Sequence, residues 1–244
     1  MRGTAFVCAA MMVAQIPAFA GRTSFGWLQD TEVMPERGAE IATFVSEHNR
    51  VRDQGNTRQS NWWIAPAIGI TDQLELVLPV EFQWSITDAT PSKTNFINFG
   101  ADLRFRLVTS DPVDKPDFVP LVRVAMKRVV IGTRDLWQPE LNFVGSYDVG
   151  RIHAAMDIGF SGQVNANQHS FEVLPAAGVS LEASHGLRVG AEIFSELGLD
   201  RSAYWVAAGP NIAWSHGRTW LSAAYGIGLF HIRDAPKLNW GIAF

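Results

Sequence analysis

The sequence predicts an all-β chain that closes into an antiparallel up-and-down transmembrane β-barrel of about twelve strands, with ten or fourteen as alternatives. Three observations lead there. Stretch after stretch alternates apolar and polar residues with a period of two, which sends one set to each face of a strand. Of the 244 residues, 47% are hydrophobic and 18% charged, and nine are Trp, yet the mean hydropathy is near zero. Apolar and polar residues are therefore finely interleaved, as when one face of a strand meets lipid and the other meets water. The chain also starts like an exported protein, with Arg2 before the short apolar core Ala5 to Ala14 and a small-x-small site at Ala18-Phe19-Ala20.

That opening sets the expected domain plan: a signal peptide over 1–20, a short periplasmic lead-in over 21–37, and the barrel over 38–244. Gln15 and Pro17 interrupt the first apolar run too early for a membrane-spanning helix, and no later stretch is long and apolar enough for one. Cys8, the only cysteine, lies in the signal, so neither disulfides nor thiolate chemistry is expected. The lead-in lacks a period; only by folding inward as a small plug would it constrict a lumen. A formal charge of −4 gives no reason to expect a nucleic-acid partner.

Strands follow in order. Ala39 to Glu47 precedes a polar loop, Asn49 to Ser60; Asn61 to Ile70 returns to a tight turn at Thr71-Asp72-Gln73. Leu74, Leu76, Leu78, Val80, Phe82 and Trp84 alternate with Glu75, Glu81 and Gln83. After a second polar loop, Thr87 to Thr94, the set Ile97 to Leu107 opposes Asn98, Asp102, Arg104 and Arg106. A Pro-containing turn, Ser110 to Asp117, suits turn chemistry. Then come Phe118 to Ile131 with Arg123 and Lys127 on the polar face, Trp137 to Tyr147 with Glu140, and Ile152 to Phe160 with His153 and Asp157. Phe171 to Leu181 carries Glu172, and Leu187 to Ile193 carries Arg188 and Glu192. Tyr204 to Trp214 and Leu221 to Leu229 precede the closing strand. The aromatic residues Trp62, Trp63, Trp84, Trp137, Tyr147, Trp205, Trp214 and Trp220 fall toward strand ends, where interfacial girdles are expected.

The closing strand has Leu238, Trp240, Ile242 and Phe244 on one parity. An ending of this kind resembles the last strand of Gram-negative outer-membrane β-barrels, whose terminal Phe serves as an insertion signal. The resemblance implies residence in the cell outer membrane, with its lipids and the barrel-assembly machinery as partners. Gly69-Ile-Thr-Asp-Gln-Leu-Glu-Leu76 is similar to a recurring turn in a group of small outer-membrane proteins labelled transporters or putative members of a phenol-degradation (MetA) pathway. That likeness implies a transporter-like, porin-like role.

The lumen and selectivity candidates are Asp102, Arg104, Arg106, Arg123, Lys127, Glu140, Asp157, Glu172, Arg188 and Glu192. They line a polar channel passing small solutes passively, or they pair across a filled lumen in a closed barrel with a structural role. Catalytic residues are not expected: His169, Ser170 and Glu172 form the one tempting group, but neighbours in a strand point to opposite faces. A lipid-modifying activity at the rim is the enzymatic alternative, and a soluble lipocalin-like barrel is disfavoured by strand number and the terminal Phe. No metal-ligand spacing, phosphate loop or nucleotide fingerprint occurs, so neither cofactor nor metal is expected.

Overall fold

In the computed structural model, residues 23–50, 57–87, 90–108, 117–131, 134–165, 169–199 and 204–244 are described; the signal peptide and most of the Ser110 to Asp117 turn lie outside them. Thirteen strands form one closed antiparallel sheet: β1 (Ala39–Arg50), β2 (Thr57–Gly69), β3 (Leu74–Val77), β4 (Val80–Thr87), β5 (Thr90–Arg106), β6 (Phe118–Ile131), β7 (Arg134–Val149), β8 (Ile152–Val164), β9 (His169–Ser184), β10 (Leu187–Gly198), β11 (Tyr204–His216), β12 (Thr219–Phe230) and β13 (Ile232–Ala243). β3 and β4 are halves of one stave, both paired to β2 and β5, so the wall is twelve-stranded. The stave, expected to be continuous, is interrupted at Leu78-Pro79 because Pro79 has no N–H for the ladder. Closure is made by β1, which pairs with β2 on one side and β13 on the other.

Alternation sets the register. In β8, Met156, Ile158 and Phe160 are exposed on the outer face while His153, Asp157 and Ser161 are buried inside. A one-residue slip would put charges on the apolar outer face, so the pairing is strongly specified. At the end that carries both Gly38 and Phe244, tight hairpins turn through Gly150, Gly186 and Gly217, each with positive φ, where a Cβ would be strained. Six strand prolines, Pro66, Pro120, Pro139, Pro175, Pro210 and Pro236, all fall on the outward parity.

Two expected loops are strand wherever their residues are described. Ser85 pairs with Lys93 and Thr87 with Thr90, inside the expected loop Thr87 to Thr94, and Arg50 pairs with Thr57 inside the loop Asn49 to Ser60. Beyond the lipid band the outward positions need not be apolar, so the period fades while the backbone ladder continues.

The girdle expectation also needs correction. Trp62, Trp137, Tyr147 and Trp214 are exposed on the outer wall, but Trp205 and Trp220 are buried inside. Trp63 also points inward, stacked on Phe44 at 5.0 Å. Each sits one residue off the outward parity, and the pleat decides its face.

The lead-in runs through the barrel instead of hanging below it. Phe25, Leu28, Val33 and Met34 are buried among wall residues. Phe25 packs so closely on β9 that a Cβ at Gly178 would meet its ring at 2.6 Å. Polar anchors run along its length: Thr31 and Ser146 hydroxyls at 2.6 Å, Met34 N–H donating to Glu75 at 2.7 Å, and Glu36 N–H to Asp72 at 3.0 Å.

Candidate functional site

The candidate site is the lumen, and it has two halves. One is a ladder of alternating charge on β3 and β5–β8. Register places Glu75 opposite Arg104 and Arg104 opposite Arg123. Two adjacent arginines would repel, but carboxylates offset them. Arg123 donates to Asp102 at 2.6 Å and lies 2.8 Å from Glu140, and Lys127 holds the other Glu140 oxygen at 2.8 Å. Arg123 also donates to Asn142, whose amide donates to Asp157 at 3.0 Å. Arg104 reaches Glu75 at 3.4 Å, and Arg106 reaches Glu32 of the lead-in at 3.6 Å. Buried charges persist when paired and hydrogen-bonded in this way.

The other half docks the N-terminal segment. Glu192 on β10 accepts three backbone N–H groups, from Gly26, Trp27 and Leu28, at 2.8–2.9 Å. Asp30 meets His153 Nε2 at 3.0 Å, and Asp148 lies 2.7 Å from the other ring nitrogen. Asn239 and Ser222 donate to the carbonyls of Gly26 and Phe25. Trp27 stacks on Phe194 at 4.8 Å and meets Trp205 edge-on.

Burial alone would push the Asp30 carboxyl up, but the His153 ring and the N–H groups of Ser24 and Thr31 hold it below its ordinary value of 3.8. A depressed carboxylate stabilises docking above that ordinary value and loses the contribution as pH falls through the lower, docked one. The Asp30 anchor is therefore expected to hold at pH 5 and to weaken in acid below 3.8, read as a red shift in Trp27 fluorescence.

Of the sequence candidates, Asp102, Arg104, Arg106, Arg123, Lys127, Glu140 and Asp157 gather on the charge ladder and its continuation. Glu192 stands apart as the docking anchor. Arg188 is near the terminal end, bonded to Ser180 at 2.8 Å, and Glu172 is half-buried on the inward parity of β9. Sequence reasoning did not single out Glu40, His48, Ser146, Ser222, Lys237 or Asn239. All share the inward parity, the one signal that could have found them. His169 is exposed and Ser170 half-buried on alternate faces of β9, so they form no proton-sharing pair. Among the described residues no cluster of three His, Cys, Asp or Glu could hold a metal ion.

Beside the docked segment a cavity of about 300 Å³ remains, lined by Trp27 and Asp30 of the segment and by Phe44, Trp63, Arg104, Arg123, Lys127 and Lys237 of the wall, among others.

This geometry defines the class: a closed, twelve-stranded antiparallel β-barrel with an N-terminal segment docked in its lumen. Among solved structures the fold is similar to the COG4313 outer membrane channel from Pseudomonas putida F1, with a TM-score of 0.67 at 10% identity, covering 88% of this chain and 98% of that one. It is also similar to the beta domain of the Bordetella autotransporter BrkA, with a TM-score of 0.56 at 10% identity over 85% of this chain and 99% of that one. The translocator domain of autotransporter NalP from Neisseria meningitidis follows, with a TM-score of 0.52 at 10% identity over 85% and 88%. No family model matches the chain, and no curated protein matches it.

Proposed function

We propose that this barrel resides in the outer membrane and passes small polar solutes passively, through the space left between the docked segment and the wall. The observation that carries the proposal is the cavity of about 300 Å³ lined by charged and aromatic side chains, where a purely structural barrel would be packed solid. Support also comes from the similarity to a protein described as an outer membrane channel. The charge ladder would then set ion preference, and the end holding both termini would face the periplasm.

The test is single-channel recording of the refolded protein in a planar bilayer under a salt gradient. Discrete steps with a non-zero reversal potential are expected. A correctly folded barrel that stays silent, with and without residues 23–34, overturns the channel. The specific observation favouring a closed structural barrel is the pairing of Arg123 with both Asp102 and Glu140, and silence in both forms is what it predicts.

The closing strand fits delivery by the barrel-assembly machinery. Leu238, Trp240, Ile242 and Phe244 all face outward, and Phe244 N–H donates to Ala39 carbonyl at 2.8 Å across the seam. Deleting Phe244 is expected to lower the heat-modifiable, membrane-inserted fraction severalfold. Unchanged levels would mean the ending carries no signal.

A further inference from the structure

Lys237 on β13 faces inward beside the docked segment. Its Nζ lies 4.3 Å from the ring centroid of Phe44 and 4.8 Å from that of Trp27. Among the described residues it has no carboxylate within ion-pair distance and no hydrogen bond. This sets it apart from the other charged groups around the cavity. Arg104, Arg123 and Lys127 are held by Glu75, Asp102 and Glu140. Asp30 is held by His153, Glu40 accepts the Trp220 indole N–H at 2.9 Å, and Glu81 accepts from Asn98 at 2.8 Å. Glu192, whose charge also reaches Lys237, is occupied by the three N–H groups of the segment. A single cation without an anion therefore borders a cavity whose adjoining wall is the Phe44–Trp63 stack, its rings 14° from parallel.

We propose that this part of the lumen is a binding site for a small monocarboxylate with an apolar body. The carboxylate sits on Lys237 Nζ, and the body lies against Trp63, Phe44 and the Trp27 indole of the segment. One ammonium without a carboxylate partner selects one negative charge, because Arg104, Arg123 and Lys127 already hold carboxylates and the charges of Glu40 and Glu81 would repel a second. Ring faces disfavour a bare anion but suit an apolar or planar body. The cavity's volume of about 300 Å³ is at the small end of ligand pockets. Because Trp27 belongs to the segment, an occupant would bridge segment and wall, so that binding and docking are linked.

The assignment deepens the channel role, and its test reads binding without conduction. The full-length barrel in detergent is titrated with benzoate, with acetate as the anion lacking a body and benzamide as the neutral counterpart, followed by calorimetry and tryptophan quenching. Saturable benzoate binding is expected, with acetate and benzamide weaker by about tenfold or more. Lys237→Met should weaken benzoate by about tenfold or more while Lys237→Arg keeps most of the affinity. Heat-modifiable migration verifies that both variants are folded. Absence of saturable binding overturns the site, as does equal affinity in folded Lys237→Met, or acetate binding as tightly as benzoate. Binding with silent bilayers sinks the channel and leaves the site standing. Conducting steps with no benzoate binding do the reverse.

Discussion

Replacing Glu192 with alanine is expected to undock the N-terminal segment and raise single-channel conductance severalfold. The carboxylate accepts three backbone N–H groups at 2.8–2.9 Å, and hydrogen bonds to a charged group contribute roughly 1.5–3 kcal/mol each. Those bonds share one acceptor and are not additive, so the net loss is about 3–5 kcal/mol. Ser222 and Asn239 still donate to the carbonyls of Phe25 and Gly26, but the remaining charged anchor, Asp30, and the bonds at Thr31 and Met34 are nearer the terminal end, so the stretch from Phe25 to Leu28 should release first. Glu192→Gln, which keeps one acceptor oxygen, should give an intermediate conductance. Proteolysis provides a second readout, because released residues 23–30 become cleavable from the lumen. Conductance and protection both equal to wild type would show that the segment is held elsewhere.

Arg123→Glu should cost the barrel more than any other lumen substitution. The guanidinium lies between Asp102 and Glu140, with Asn142 as a third partner. Reversal gathers three carboxylates against Lys127 and the neighbouring Arg104, which already holds Glu75. Breaking a buried pair by removing one partner costs about 3–5 kcal/mol, and the added repulsion takes the reversal beyond that. The expected result is a marked fall in the temperature at which the barrel loses its fast gel migration. Arg123→Met, which strips Asp102 of its ion-pair partner and leaves Glu140 with Lys127 alone but adds no charge, should fall between. A reversal variant as heat-resistant as wild type would mean the ladder is hydrated and contributes little to stability.

The wall was legible in the sequence because an apolar outer face and a polar interior impose a period of two along every strand. Glu75, Arg104, Arg123, Asp157 and Glu192 could be assigned to the interior from parity alone, and their burial agrees. The same rule, applied residue by residue, would have placed Trp205, since Tyr204 and Val206 flank it on the outward parity. Toward strand ends the rule loses force: Thr87 to Thr94 reads as polar loop because nothing there faces hydrocarbon. The docked segment was invisible for a different reason. Its residues 26–28 are held by backbone N–H groups, which every residue but proline possesses, against one carboxylate more than 160 positions away. No spacing encodes such a partnership.

The six outward prolines bear on the life of the chain before it is a barrel. Before the sheet closes, the chain carries a dozen amphipathic segments whose free edges invite pairing with other copies. A proline in β2, β6, β7, β9, β11 and β13 leaves each of those segments one donor short. It interrupts the flat, continuous ladder that intermolecular stacking requires. Inside the finished wall the missing donor is tolerated at a lipid-facing position. Before assembly the same residue would act as a gatekeeper, opposing the pairing of one copy's strands with another's.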